Sequence, residues 1–206
     1  MTAVVVVSLA FTAVATAACS TPIASSDPSG PCGADGRAPA LYPELEALLP
    51  RVLDRVAPTT VDSGRSCSPA ALGSYAAHGI AAVHYAGATW SEDPQNATVI
   101  AVFRTPASQP TLDQTWVQEF YEAGARASTK TENITISGPQ LGDGGRYWRL
   151  ETLNDLSLQT VAVWGGDAGL VHVVIVATEV EPGASRAAHN ERVDRAIQAV
   201  LDGPAA

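Results

Sequence analysis

The chain has 206 residues, 46% of them hydrophobic, and its 21 acidic and 12 basic residues give a net charge of -9. This length and apolar content are enough for one globular domain of roughly 150 residues, with shorter segments at the ends. Because the charge is negative and no two Lys or Arg residues are adjacent, a phosphate backbone would be repelled, and we expect no nucleic-acid partner.

Residues 1–18 are typical of a cleaved signal peptide. No charged residue occurs from Ala3 to Ala18, and this segment is shorter than the ~20 residues that span a membrane as a helix. Residues 16–19, TAAC, then resemble the lipobox of bacterial lipoproteins, in which the cysteine is acylated and becomes the mature N-terminus. The resemblance implies a signal peptide over residues 1–18 and a lipid anchor at Cys19 on the outer face of the cell membrane. Cleavage followed by secretion, and retention of the apolar segment as a helix or strand, are the alternatives.

Residues 19–39 are predicted to form a flexible linker behind the lipid. They are rich in Ser, Pro, Gly and Ala and contain few large apolar side chains that could offset the entropy of ordering.

If Cys19 is acylated, Cys32 and Cys67 remain as an even pair in turn-like surroundings, and outside the cytosol such a pair favours a disulfide. Two unrelated thiols are the alternative.

A single domain is predicted for residues 40–203. Its first half is expected to contain two short helices, a strand hairpin and an amphipathic helix that begins at a capping box of Thr111 and Gln114. Its second half is expected to contain four strands joined by turns rich in Gly, Asn and Asp, and a final amphipathic helix. In chain order the predicted elements are helices 43–49 and 68–78, strands 80–90 and 97–105, helix 111–127, strands 133–137, 146–152, 157–164 and 170–178, and helix 185–202.

These elements predict an α+β fold, with a mostly antiparallel sheet of about six strands and two main helices packed on one face. The order of lipobox-like cysteine, polar linker, residues 43–50 (PELEALLP), sheet, helix, meander and final helix is similar in layout to uncharacterised envelope lipoproteins of high-GC bacteria, including some with a PsbP-like domain. This similarity implies an interaction domain located in the cell envelope. It carries no catalytic residue over to this chain.

The sequence contains no motif for catalysis, metal binding or a nucleotide cofactor. G-x-S-x-G, the Cys and His spacings of zinc sites and the glycine-rich phosphate loops are all missing. His78, His84 and His172 are interpreted as structural residues, and His189 as an exposed residue without a role. No catalytic residue, metal ligand or cofactor is therefore predicted.

Aromatic residues are the one feature of the sequence that suggests a binding surface. Trp90 and Trp148 have polar or charged neighbours, and with Tyr147 they could supply a large contact area. Burial in the core is the alternative.

The sequence favours a membrane-tethered extracytoplasmic domain that binds an envelope protein, a glycan or a lipid without catalysis. A carrier of an apolar small molecule or lipid, and an exported hydrolase with an atypical site, are the alternative functions.

Overall fold

The computed structural model describes residues 32–93, 96–142, 144–153, 157–180 and 186–203. The predicted signal peptide, the lipidation site Cys19 and most of the predicted linker lie outside the described residues. Among the described residues, no helix is long and apolar enough to cross a membrane.

The fold is α+β and is built around one antiparallel sheet, as predicted, but the sheet has eight strands instead of about six. Their order across the sheet is β1-β2-β3-β4-β8-β7-β6-β5. The two strands that the sequence analysis missed are β1 and β2. The strands are β1 (Gly36–Ala38), β2 (Thr60–Ser66), β3 (Val83–Asp93), β4 (Asn96–Arg104), β5 (Glu132–Ser137), β6 (Trp148–Leu153), β7 (Ser157–Gly165) and β8 (Val171–Glu179).

The strand order shows how the chain builds the sheet from two meanders. Strands β1 to β4 form the first meander, and the chain then crosses to the far edge, where β5 begins the second. The second meander returns inward until β8 pairs with β4 in the middle of the sheet. Each central strand therefore has a hydrogen-bonded neighbour along both edges, and β3, β4, β7 and β8 together supply about half of the buried apolar side chains.

The two long helices pack on opposite faces of the sheet, so the prediction that both lie on one face is wrong. Adjacent residues of β8 show this, because Val173 belongs to one apolar cluster and Val174 to the other. An amphipathic helix reveals its apolar stripe but not which sheet face that stripe will cover. The helices are α1 (Pro43–Glu46), α2 (Pro69–Leu72), which continues into a 3-10 helix (Gly73–His78), α3 (Gln114–Ala127) and α4 (Arg186–Leu201).

Each face of the sheet has its own apolar cluster. The α4-side core contains side chains from α1, α4 and alternate residues of the central strands, among them Leu45, Ala88, Ile100, Val174, Val193 and Ile197. The α3-side core contains the remaining alternate residues with α3 and the 3-10 helix, among them Tyr75, Val83, Val117, Tyr121, Val163 and Val173. Such burial on both faces explains the apolar runs in the second half of β7 and through most of β8.

The start of α3 differs from the predicted capping box. The structure places the N-cap at Asp113, whose Oδ1 accepts a hydrogen bond of 2.8 Å from the backbone N–H of Thr115. Gln114 instead accepts a 2.6 Å hydrogen bond from the backbone N–H of Gly165. The predicted capping residue Gln114 therefore ties the first turn of α3 to the end of β7.

A disulfide between Cys32 and Cys67 joins the beginning of the described chain to the end of β2, which confirms the predicted pairing. The two Cα atoms are 6.0 Å apart. Asp35 strengthens this connection, because its Oδ1 accepts hydrogen bonds from the backbone N–H groups of Cys67 and Ser68 at 2.6 and 2.8 Å. As a result β1 is held against β2, although residues 36–38 fall within the predicted linker.

Candidate functional site

A cavity of about 1060 Å³ opens at one end of the sheet. We call it the end pocket. Its walls are residues 41–44, the approach to β3, the end of β4, the loop 105–111 and residues 168–169, and Cys32 lies at its edge. This volume is comparable with the larger pockets that hold small molecules in proteins.

The base of the end pocket is set by the pairing of three strands. His84 of β3 lies directly opposite Arg65 of β2 and Arg104 of β4. Residues opposite each other in an antiparallel sheet point to the same face, so the three basic side chains form one row. His84 and Arg104 line the pocket, whereas Arg65 is buried and hydrogen-bonded to Tyr42.

Glu44 of α1 places a carboxylate beside this row. It forms an ion pair with Arg104, although the two residues are 60 positions apart in the chain. The Glu44 side chain is 50% exposed and the Arg104 side chain 36% exposed. An ion pair this accessible to water contributes only about 0–1 kcal/mol, so Arg104 can exchange Glu44 for another anion at little cost.

Tyr42 closes the inner side of the pocket. Its ring stacks on the imidazole of His84, with centroids 4.2 Å apart, and its backbone N–H donates a 2.7 Å hydrogen bond to Ser63 Oγ. Burial lowers the pKa of His84, and the positive charges of Arg104 and Arg65 lower it further, while Glu44 acts in the opposite direction. His84 is therefore mostly neutral at pH 7 and presents one N–H donor and one acceptor nitrogen.

Side-chain hydrogen bonds hold the outer wall in place. Gln109 Oε1 accepts hydrogen bonds from the backbone N–H groups of Ala81 and Ala82 at 2.7 and 3.1 Å. Thr105 Oγ1 donates a 2.6 Å hydrogen bond to the carbonyl oxygen of Pro110. The loop is thus fixed to the strands before any ligand arrives, which reduces the entropy lost on binding.

The aromatic residues predicted as a binding surface do not form one. Trp90 and Tyr147 are 9% and 5% exposed and belong to the α4-side core, whereas Trp148 is half-buried on the opposite face. Trp90 Nε1 donates a 2.9 Å hydrogen bond to the carbonyl oxygen of Val56. The polar neighbours of Trp90 were misleading because adjacent residues of a strand point to opposite faces.

The three histidines other than His84 contact side chains of the fold in three different ways. His172 stacks on Trp164 with centroids 5.5 Å apart, and His78 stacks on Trp116 at 4.7 Å. His189 was predicted to be exposed, but it is only 1% exposed and lies between two sheet hydroxyls. It shares the stripe of α4 with Val193 four residues later, and this spacing is the sequence signal that could have placed it in the core.

Two hydroxyl groups satisfy the buried His189. Its Nε2 lies 2.8 Å from Thr160 Oγ1 and its Nδ1 lies 2.8 Å from Thr178 Oγ1. Burial, together with the positive charge of Arg149, lowers the pKa of His189 to about 4. This group is not accessible to a ligand, so its role is in the stability of the fold.

Comparison with known proteins assigns no function to this chain. No protein-family model, curated protein or solved structure matches this chain. Within the described ranges, no three His, Cys, Asp or Glu side chains are grouped so that they could hold a metal ion. The end pocket is therefore the candidate functional site.

Proposed function

We propose that this protein is a membrane-tethered, extracytoplasmic binding domain without catalytic activity, and that it takes a small ligand into the end pocket. The observation that supports this proposal is the cavity of about 1060 Å³, whose lining mixes polar and apolar side chains. Sites for small molecules are commonly concave, largely preformed and fitted with a few polar groups that orient the ligand. Among the functions that the sequence suggested, the pocket favours binding of a small molecule over binding of a protein partner.

The position of the pocket is consistent with a lipid tether at Cys19. Cys32 lies at the edge of the pocket and is fixed there by its disulfide. Thirteen residue steps separate position 19 from position 32. A fully extended chain spans at most about 3.5 Å per residue, so the pocket edge would lie within about 45 Å of the membrane surface. A ligand could therefore pass between the membrane and the pocket without release of the protein.

A larger side chain in the pocket should prevent the binding of a ligand that co-purifies with the protein. The full chain is isolated from the membranes of the organism that makes it and examined by native mass spectrometry. Ala107 is exposed and lines the pocket, so Ala107→Trp should occupy space there without disturbing the core. We expect a bound small molecule on the wild-type protein, loss of that mass in Ala107→Trp, and its retention in Ala123→Trp, which alters an exposed position of α3. A wild-type protein free of bound mass, or equal occupancy in both variants, would contradict the proposal.

The tether is tested separately by fatty-acid labelling. Cells that produce the full chain are grown with an alkyne-bearing palmitate, and the protein is then coupled to a fluorescent azide. We expect strong labelling of the wild-type protein and of Ser20→Ala, and loss of essentially all signal in Cys19→Ala. Equal labelling of Cys19→Ala and the wild-type protein would show that the anchor is not at this cysteine.

A further inference from the structure

We propose that the end pocket recognises an amphipathic anion, that is, a carboxylate or phosphate group attached to an apolar chain. Arg104 would hold the anionic group, and Glu44 would compete with it for the same guanidinium. This inference rests on the function proposed above and specifies its ligand.

A basic side chain, Arg104, lines the end pocket of a chain whose net charge is -9. The other titratable groups of the lining are His84, Tyr42 and Glu44, and Arg65 is buried beside them. Two carboxylates close by in the sequence are engaged elsewhere. Glu46 accepts hydrogen bonds from Ser63 Oγ and the backbone N–H of Ala40, both at 2.7 Å, and Asp35 binds the backbone at Cys67 and Ser68. Arg104 and Glu44 are thus the charged pair that lines the pocket, and an anionic group that displaces Glu44 would take over the guanidinium of Arg104.

Arg104 is the group best placed to bind that anion. It lines the pocket, and its guanidinium is partly accessible to water. A guanidinium can bind both oxygens of a carboxylate or phosphate group in a bidentate arrangement. Glu44 is the anion that it binds now, and an incoming head group of the same chemistry would replace it. Burial lowers the pKa of His84, so that the neutral ring can donate its N–H to the same head group without adding another charge to the site.

The rest of the lining favours an apolar chain on that anion. The carbon surface next to the charged end comes from Leu41, Pro43, Pro106 and Ala107. An alkyl group placed against this surface would release water from it, which favours binding. A volume of about 1060 Å³ is also far larger than an inorganic anion needs. The geometry thus fits an amphipathic molecule better than a free anion.

Five small probes separate the anionic head from the apolar chain. The full chain is titrated by isothermal calorimetry, below the micellar range, with octanoate, octyl phosphate, octanol, octylamine and inorganic phosphate. We expect octanoate or octyl phosphate to bind several-fold more tightly than octanol, octylamine or inorganic phosphate, because only they satisfy both ends of the pocket. Their affinity should fall as the salt concentration rises, since the head-group interaction is electrostatic.

Variants of Arg104 and Glu44, with matched controls, test whether Arg104 binds the anionic group and whether Glu44 competes with it. We expect Arg104→Gln to weaken octanoate or octyl phosphate binding by about two- to fivefold and Glu44→Gln to strengthen it by a similar factor. Arg126→Gln and Glu122→Gln are the controls, because this ion pair lies on α3 and has similar exposure. Equal binding of octanol and octanoate would overturn the anionic head group but would leave the proposed ligand pocket standing. Equal binding of inorganic phosphate and octyl phosphate would overturn the apolar chain, and unchanged affinity in Arg104→Gln would overturn the assignment of the site.

Discussion

Replacing Cys67 by serine is expected to lower the free energy of unfolding by about 4 kcal/mol. The disulfide joins residues 35 positions apart, and closing a loop of this length restricts the unfolded chain by roughly that amount. The loop contains β1, α1 and β2, which together carry Glu44, Arg65 and Tyr42 of the candidate site. Its loss should therefore affect both stability and ligand binding.

The measurement is urea unfolding of the full chain, followed by tryptophan fluorescence. The matched control is Ser20→Ala, which alters a residue outside the loop, keeps Cys19 and should leave the midpoint unchanged. Treatment of the wild-type protein with a reductant should lower the midpoint as far as Cys67→Ser does. A loss of less than about 1 kcal/mol in Cys67→Ser would mean that the bond does not constrain the unfolded chain.

The central strands and the long helices could be predicted because their own side chains carry the pattern. Residues 171–179 alternate between two buried faces and are almost entirely apolar, and α3 repeats apolar residues at helical spacing. Strand β2, with the sequence TVDSGRS, has no such pattern. It is a strand because seven of its residues pair with β3, and this non-local pairing is invisible in a local sequence window.

The candidate site was harder to predict than the fold because pairing between strands creates it. Arg65, His84 and Arg104 are about 20 residues apart in the chain, and they meet only because their strands align in one register. Glu44 reaches them from a helix of a single turn. Each of these residues is ordinary in its local sequence, so no motif marks them. Their proximity becomes visible only when the register is known.

The burial of His189 could not be predicted from its local sequence alone. A histidine in the first turn of a terminal helix is usually exposed, and its environment here depends on two threonines from β7 and β8. The hydroxyl of one threonine donates to the ring and the other accepts from it, so the neutral imidazole is fully satisfied. Protonation would put an unpaired charge in this buried site, which couples the fold to pH.

The stability of the wild-type protein is expected to fall by about 3 kcal/mol between pH 7.5 and pH 4 through His189 alone. Burial lowers the pKa of this residue from 6.5 to about 4 in the folded protein. In the unfolded chain the imidazole binds a proton as the pH falls through about 6.5, whereas in the folded protein it does so only near pH 4. The unfolded state thus holds more protons across this window, and the contribution of His189 is fully present above it and is lost as the pH falls.

The variant His189→Gln should remove this part of the pH dependence, because glutamine can still donate and accept hydrogen bonds but does not titrate. Urea unfolding at several values between pH 7.5 and pH 4 gives the free energy of each protein. Burial also lowers the pKa values of His84 and His172, so a smaller slope of the same sign should remain in the variant. Ala187→Gln introduces the same side chain at an exposed position of α4 and should keep the full wild-type slope. Equal slopes in His189→Gln and Ala187→Gln would mean that His189 does not stay neutral in the folded protein over this range, and the burial argument for it would then be wrong.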